Sequence, residues 1–155
     1  MRLEKPLAPG STIGILGGGQ LGRMLALAAG ELGFSCHIFA PEADSPAFQV
    51  SGAHTVAGYQ DFTALEGFAE SVAVVTYEFE NVPGDTAAFL ESRVALAPGS
   101  GALKTAQDRV DEKTFIAGLG IPVAPFAAVN GQPELEAAIA LIGRPSVLKT
   151  RRFGY

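Results

Sequence analysis

The chain has little of several residue types, and each shortage excludes a class of protein. Among its 155 residues the only cysteine is Cys36, so no disulfide can form within the chain and the cytosol is the expected compartment. Charged residues make up only 17%, and the net charge of −5 leaves no basic face for nucleic acid. No apolar run reaches the roughly 18 residues of a membrane span, and Met1–Gly10 lacks the apolar stretch of a signal peptide. We therefore expect neither nucleic acid nor a membrane as a partner.

The remaining composition is that of a folded domain with many short connections. Hydrophobic residues make up 48% of the chain, which is enough to bury a core. The 19 glycines and 10 prolines suit an α/β domain better than a helical bundle. The length fits one domain, or one domain and a piece of another.

A glycine turn organises the first part of the sequence. The apolar run at residues 12–16 ends in Gly17-Gly18-Gly19, and a helical pattern begins at once. One apolar stripe at helical spacing follows, formed by Leu21, Met24, Leu25, Ala28 and Leu32. Strand, glycine turn and helix open a doubly wound α/β domain. Because glycines allow close approach and the first helical turn has free N–H groups, we predict a site for a phosphate-bearing ligand here.

Other interpretations of this turn remain open. The spacing Gly17-x-Gly19-x-x-Gly22, followed by Glu42, fits an NAD(P)-binding domain of an oxidoreductase. Pro41, directly before that acidic residue, weakens the match. The glycines could also serve packing alone, and a non-catalytic nucleotide-binding module is a third possibility.

Short apolar runs predict further strands at residues 35–39, 54–57, 72–77 and 94–97. Asp61 is expected to cap the helix that precedes the third of these. The run at 72–77 is continuous and rich in β-branched residues, which is typical of a parallel strand covered on both faces. The sequence therefore predicts a parallel sheet with helices on both sides.

Acidic residues follow the 72–77 strand directly. Ligands bind at the carboxyl ends of parallel strands, and Glu78 and Glu80 would point the same way if the chain stayed extended. Alternatively, both glutamates are solvated, and Asn81 or Asp85 caps the next helix. Spacing alone does not separate these interpretations.

The last third of the sequence begins a second unit. Residues 100–119 are predicted to be largely helical, with Asp108 starting a new segment. Pro122 and Pro125 exclude helix and indicate a domain boundary. A helix starting near Pro133 and a strand at 146–150 follow. Because one helix and one strand cannot bury a core, we expect the second domain to be cut off soon after it begins and the chain to be a fragment.

Several stretches carry a family resemblance, and they span most of the chain. They are residues 17–24 (GGGQLGRM), 76–83 (TYEFENVP), 107–109 (QDR) with 112–113 (EK), 120–122 (GIP) and 148–155 (LKTRRFGY). In this order they resemble the amino-terminal part of the 5-(carboxyamino)imidazole ribonucleotide synthases, the ATP-grasp ligases of bacterial and fungal purine synthesis. Together they are far more specific than the glycine spacing alone.

The resemblance implies a fold and an activity. It implies a Rossmann-like preATP-grasp domain at 1–100, a connecting helix and linker at 101–122, and the beginning of an ATP-grasp domain at 123–155. The family uses ATP to phosphorylate bicarbonate, and the carboxyphosphate delivers CO₂ to the amine of 5-aminoimidazole ribonucleotide. Mg²⁺ is implied, with ligands beyond residue 155, as is a homodimer of the full-length enzyme. The chain alone is expected not to complete the reaction.

The resemblance also implies roles for individual residues, none of them catalytic or metal-binding. The ribonucleotide would be held by the turn residues Gly18, Gly19, Gln20 and Leu21, and faced by Glu78 and Asn81. Arg109 and Lys149 would meet the ATP phosphates, and Gly154 and Tyr155 would begin a mobile glycine-rich loop over them. Two plainer interpretations remain: Arg109 pairs with Glu112 on an exposed helix face, and Lys149 is a sheet-edge lysine.

Overall fold

The computed structural model describes residues 5–153, which are divided between two compact units, Met1–Leu103 and Lys104–Tyr155. The first unit contains a five-stranded sheet in the order β3-β2-β1-β4-β5. All its strand pairs are parallel. The strands are β1 (Thr12–Leu16), β2 (Ser35–Ala40), β3 (Ala53–Val56), β4 (Val74–Tyr77) and β5 (Ala95–Leu96). The predicted parallel α/β fold is confirmed.

Helices cover both faces of this sheet, because successive strand residues point to opposite sides. On one face, Ile15 and Ile38 pack with α1 (Gln20–Glu31) and the 3₁₀ helix Pro46–Val50. On the other, Leu16 and Phe39 pack with α2 (Phe62–Glu70) and α3 (Gly84–Glu91). Residues 5–153 contain no helix that is both long and apolar enough to span a bilayer.

Helix α1 forms where the periodicity predicts it, but the side that faces the sheet is different from what an amphipathic pattern suggests. Its buried residues are the small ones, Gly22, Ala26 and Ala29. A Cβ atom at Gly22 would lie 2.5 Å from the carbonyl oxygen of Gly17, so the helix lies too close to the strand end for larger side chains. The apolar residues Leu21, Met24, Leu25, Ala28 and Leu32, here called the α1 stripe, are all exposed.

The predicted caps are partly right. The Asp61 carboxylate accepts a hydrogen bond of 3.0 Å from the Ala64 N–H and caps α2, as predicted. Neither Asn81 nor Asp85 caps α3, and that prediction is wrong. Helix α3 begins at Gly84, with Pro83 at the cap position and no side-chain cap. Asp85 therefore lies inside the first turn, where its carboxylate accepts from the Thr86 N–H.

The second unit contains the end of α4 (Ser100–Gln107), α5 (Arg109–Gly118) and α6 (Gln132–Ile142). Asp108 starts α5 as predicted, because its carboxylate accepts from the backbone N–H groups of Val110 and Asp111 at 2.9 and 3.3 Å. The strand predicted at 146–150 is not formed. A strand exists only in a paired ladder, and no described strand lies beside this segment. The domain limits at 100 and 122 stay predictions.

One polar cluster in the first unit is built around a histidine ring. The His37 ring lies between the Ser71 and Thr55 hydroxyls, each 2.8 Å from a ring nitrogen. Because Ser71 donates its own proton to the Phe68 carbonyl, its oxygen accepts from His37 Nδ1–H, and Nε2 accepts from Thr55. This arrangement uses the neutral imidazole. Burial lowers the pKa of His37, and the nearby His54 lowers it further.

We expect the free energy of unfolding to fall as the pH drops below about 6.5, the ordinary histidine pKa. A lowered pKa in the folded state means that the unfolded chain binds more protons, so acid favours unfolding. Urea unfolding at pH 7.5 and 5.5 measures this loss. The loss of unfolding free energy between the two pH values should be smaller in His37→Gln, whose amide keeps partners for both hydroxyls. In His54→Gln most of the loss should remain. Equal losses in wild type and His37→Gln would contradict the prediction.

Candidate functional site

The predicted glycine turn and Glu78 meet where the strand order of the sheet reverses. Strand β1 lies between β2 and β4, and its last residue, Leu16, is in register with Tyr77 at the end of β4. The Glu78 N–H donates to the Leu16 carbonyl at 3.1 Å, which brings the two following loops together. In open α/β sheets this reversal point, at the carboxyl ends of the strands, is where ligands bind.

The Glu78 carboxylate lies on the first turn of α1. Its Oε1 accepts from the Gly19 N–H at 2.9 Å, and its Oε2 accepts from the Gly22 N–H at 2.5 Å. These bonds satisfy two of the donors that a helix start leaves unpaired and place a negative charge at the positive end of the helix. Glu78 is therefore not a solvated residue. It does not pair with Glu80 in an extended segment either, because the chain bends at residues 78–79.

The glycines of the turn are packed closely against their neighbours. Gly17 has a φ of +112°, and a Cβ atom there would overlap the Glu78 side chain. A Cβ atom at Gly18 would overlap the buried Ser45, and the Gly18 carbonyl accepts from the Ala47 N–H at 3.0 Å. The packing role that the sequence left open for these glycines is therefore present. The turn is held from one side by Glu78 and from the other by the 3₁₀ helix.

Some polar groups at this edge of the sheet have no partner. The N–H groups of Gln20 and Leu21, the first two residues of α1, make no hydrogen bond within residues 5–153, and both side chains are exposed. In the loop after β4, the buried Oδ1 of Asn81 also has no partner in the described part of the chain. Unpaired donors beside a close-packed turn are what an anionic ligand needs.

The sequence interpretation missed Tyr59. Burial raises the pKa of its phenol, and the negative charges of Glu42 and Glu78 raise it further, so the group stays protonated at neutral pH. Its ring lies 5.9 Å from Phe79 and 6.2 Å from Phe39, measured between ring centroids. Tyr59 is in a short loop after β3 where no periodicity distinguishes it. Through its ring it packs against Phe79, the residue that follows Glu78.

The residues predicted to bind ATP all belong to the second unit. Arg109 donates from Nη1 to Glu112 Oε2 at 2.8 Å on an exposed helix face, which is the plainer interpretation given above. Lys149 is exposed and lines an open groove of about 630 Å³ along α6, together with Leu148 and Thr150. Gly154 and Tyr155 lie outside the described residues.

The sequence also did not predict an ion pair that joins Arg151 to Asp108 at the start of α5. Its Nε lies 3.1 and 2.9 Å from the two Asp108 carboxylate oxygens, and its Nη2 lies 2.8 Å from Oδ2. Burial acts to raise the pKa of Asp108, but the hydrogen bonds from Arg151 and from the helix N–H groups outweigh it and hold that pKa below its usual range. The contact fixes residue 151 against the amino end of α5.

The described residues do not fit a magnesium site. Within residues 5–153 no group of three or more histidine, cysteine, aspartate or glutamate side chains is placed to hold a metal ion. Mg²⁺ takes carboxylate, phosphate and water oxygens in octahedral geometry. No step involving the metal is therefore assigned to these residues.

The parallel sheet with a glycine turn at its reversal point places the first unit in the class of Rossmann-like α/β domains. A family model described as the ribonucleotide synthetase preATP-grasp domain matches residues 10–107. The chain therefore belongs to the preATP-grasp family of ribonucleotide synthetases.

Similar proteins extend this match beyond the first unit. The N5-carboxyaminoimidazole ribonucleotide synthase of Brucella melitensis is 47% identical over 149 residues, which are 96% of this chain and 41% of that protein. A crystal structure of an N5-carboxyaminoimidazole ribonucleotide synthetase with ADP is 45% identical, with a TM-score of 0.93 over 99% of this chain and 41% of that one. The Aspergillus clavatus synthase, in complex with ADP and 5-aminoimidazole ribonucleotide, is 31% identical, with a TM-score of 0.83 over 94% of this chain and 40% of that one. The chain thus spans about two-fifths of the length of these relatives.

We expect Glu78→Ala to lower the free energy of unfolding by about 1–3 kcal/mol, because it removes a carboxylate that accepts two backbone N–H groups. Glu78→Gln keeps one acceptor oxygen and should fall between Ala and wild type. The control is Glu31→Ala, an exposed carboxylate at the other end of α1, which should stay within about 0.5 kcal/mol of wild type. Urea unfolding measures all three variants. If Glu78→Ala were as stable as the control, the role of Glu78 in holding the turn would be wrong.

Proposed function

We propose that this chain forms the ribonucleotide-binding part of an ATP-dependent ligase that carboxylates 5-aminoimidazole ribonucleotide with bicarbonate in purine synthesis. The observation that carries the proposal is the glycine turn with unpaired N–H groups, at the point where the strand order of the sheet reverses. The chain also aligns with such a synthase over 96% of its length. A relative crystallised with ADP and this ribonucleotide supports the choice of substrate.

In this proposal the turn binds the ribonucleotide with its backbone. Gly18 and Gly19 form the turn closely packed against Ser45 and Glu78, and the N–H groups of Gln20 and Leu21 donate to the phosphate or sugar oxygens of the ligand. The unpaired Asn81 Oδ1 is an acceptor for a hydroxyl or amine of the ligand. The main role of Glu78 is to hold the turn in one conformation. Its carboxylate also faces the ligand, because it lies at the same carboxyl edge of the sheet. Binding to a rigid turn loses less conformational entropy than binding to a mobile loop.

ATP is proposed to bind through the second unit. Lys149 is exposed on a groove and carries a point charge suited to phosphate. Arg109 can exchange Glu112 for phosphate at small cost, because exposed ion pairs contribute only about 0–1 kcal/mol. Gly154 and Tyr155 are proposed to close over the phosphates. Mg²⁺ would accompany ATP and neutralise phosphate charge, with ligands outside residues 5–153.

The complete reaction is proposed for the whole enzyme and not for this chain. The chain spans about two-fifths of relatives that carry the synthase name, so the remaining machinery has to come from the rest of such an enzyme. We further propose that the full-length enzyme is a cytoplasmic homodimer. The lone, buried Cys36 supports the cytoplasm, since no disulfide within the chain contributes to the fold.

We expect 5-aminoimidazole ribonucleotide to stabilise the chain by about 2.7 kcal/mol at 100 times its Kd, and NADH to give no stabilisation. Replacing Gln20 with proline removes one proposed donor. This change suits the first helical position, since Gly19 before it is extended. Gln20→Pro should weaken binding about tenfold, the loss of one hydrogen bond to a charged group.

The matched control is Gln20→Ala, which removes the same side chain but keeps the N–H group. Thermal shift and calorimetric titration should therefore give near wild-type binding for Gln20→Ala and weak binding for Gln20→Pro. Equal binding by both variants would refute the backbone contact. Stabilisation by NADH alone would instead favour an oxidoreductase domain.

For the second site we expect Lys149→Ala to raise the dissociation constant for ATP about fivefold, because it removes a cation that contacts phosphate. Lys104→Ala removes an exposed lysine of the same unit that has no proposed role, and it serves as the control. Equilibrium dialysis with labelled ATP and Mg²⁺ gives both constants. Equal effects of the two changes would remove Lys149 from the ATP site.

A further inference from the structure

Two consecutive arginines of the second unit are held by the junction between α4 and α5. The Arg151 side chain binds the Asp108 carboxylate through Nε and Nη2, and its carbonyl accepts from the Arg109 N–H at 2.9 Å. Next to it, Arg152 Nη2 donates to Gln107 Oε1 at 3.2 Å. Two successive residues therefore contact three successive ones, and this set is here called the 108–151 contact.

The 108–151 contact differs from an ordinary surface ion pair. The Asp108 side chain is only 16% exposed, whereas both partners of the pair Arg93–Glu66 are about half exposed. The Asp108 carboxylate also accepts from the first turn of α5, so its position is already fixed. Exposed pairs contribute little because two mobile side chains have to be ordered, and a fixed carboxylate bound by a forked guanidinium avoids much of that cost.

The segment that this contact holds has little regular structure. Residues 146–150 form no helix or strand, and residues 144–153 are all exposed. Lys149 belongs to this segment and lies two residues before Arg151, which is at most about 7 Å of extended chain. Arg109, the other cation proposed for ATP, follows Asp108 directly. The contact therefore ties together the two backbone segments that carry the proposed phosphate-binding side chains.

The Arg151 guanidinium itself faces acidic groups. Its Nη2 lies 2.8 Å from Asp108 Oδ2 and 3.8 Å from Asp111 Oδ1. Carboxylates beside a proposed phosphate site are unfavourable for an anion in themselves, because like charges repel. Their presence there is explained if they serve to hold the arginine.

We propose that Asp108 and Arg151 are positioning residues for ATP. Their ion pair holds the segment of Lys149 against the start of α5, so that Lys149 and Arg109 reach the same triphosphate. The inference rests on the ATP site proposed above and adds two residues that do not themselves touch the nucleotide. Two positioned cations bind phosphate more tightly than the same charges on a mobile segment, because less conformational entropy is lost on binding.

Neutralising Asp108 separates this role from plain electrostatics. Asp108→Asn removes the ion pair but keeps a residue that caps helices well. It also removes a negative charge near the proposed ATP site, which by charge alone would strengthen ATP binding. We expect the opposite: the dissociation constant for ATP should rise about fivefold in equilibrium dialysis, because the segment of Lys149 is released. An unchanged or lowered constant would overturn the proposal.

The matched control is Glu112→Gln. It is the same acid-to-amide change in the same helix, and Glu112 also pairs with an arginine, Arg109, at 2.8 Å. Because that pair lies within one turn of α5, its loss releases no other segment. The dissociation constant for ATP should therefore stay at or below the wild-type value. Equal weakening by both changes would contradict a specific role of Asp108, and urea unfolding confirms that each variant is folded.

A double variant shows whether Arg151 acts through Asp108 or touches ATP itself. If both residues act through one contact, Asp108→Asn combined with Arg151→Gln should raise the dissociation constant about fivefold, no more than either single change. Independent effects would multiply to roughly 25-fold. That result would make Arg151 a phosphate ligand and refute its positioning role.

The contact also has a readout without ATP. The Arg109 N–H donates to the Arg151 carbonyl, so its protection against hydrogen exchange should fall several-fold in Asp108→Asn and in Arg151→Gln. The Val110 amide, which residue 108 caps, should keep its protection. Unchanged protection of Arg109 in both variants would overturn the inference and leave the ATP site standing. The ATP site fails separately, if Lys149→Ala binds ATP as well as its control does.

Discussion

The contact between the Glu78 carboxylate and the first turn of α1 connects the main parts of the candidate site. It joins the end of β4 to the turn after β1 across the point where the strand order reverses. It also supplies a fixed negative charge to a helix start that would otherwise bind an anion from solution. Two of the donors of this turn are therefore used within the protein, and the N–H groups of Gln20 and Leu21 make no hydrogen bond within residues 5–153. A ligand phosphate bound as proposed would lie beside this carboxylate and would share the donors of the turn with it.

Much of the fold could be predicted from local sequence. The continuous β-branched run before Glu78 indicates a buried parallel strand, and the three glycines indicate a strand-to-helix turn, because each reflects a short-range backbone requirement. Asp61 and Asp108 cap helices as predicted, since a cap depends on residues only two or three positions away. The family resemblance was equally accessible, because its motifs are short and ordered. The roles of individual site residues stay predictions.

What could not be predicted depends on contacts distant in sequence. Helical spacing identified the apolar stripe of α1 but not the side it faces, which is set by how closely Gly22 approaches the strand end. Neither the bend after β4 nor the two hydrogen bonds of Glu78 follow from a pair of glutamates at alternate positions. The packing of Tyr59 against Phe79 is a tertiary contact without a local signal, and the segment 146–150 has strand-like residues but no described strand beside it.

The close fit of helix α1 to the sheet has a further consequence for the proposed donors. The sheet side of the helix is formed by Gly22, Ala26 and Ala29, and a Cβ atom at Gly22 would lie 2.5 Å from the Gly17 carbonyl oxygen. The N–H groups of Gln20 and Leu21 belong to the same helix, so this contact determines how far they lie from the end of β1. A larger side chain at residue 22 would displace the first turn outward, together with those N–H groups. The smallest side chain of the helix therefore determines where a ligand would find its donors.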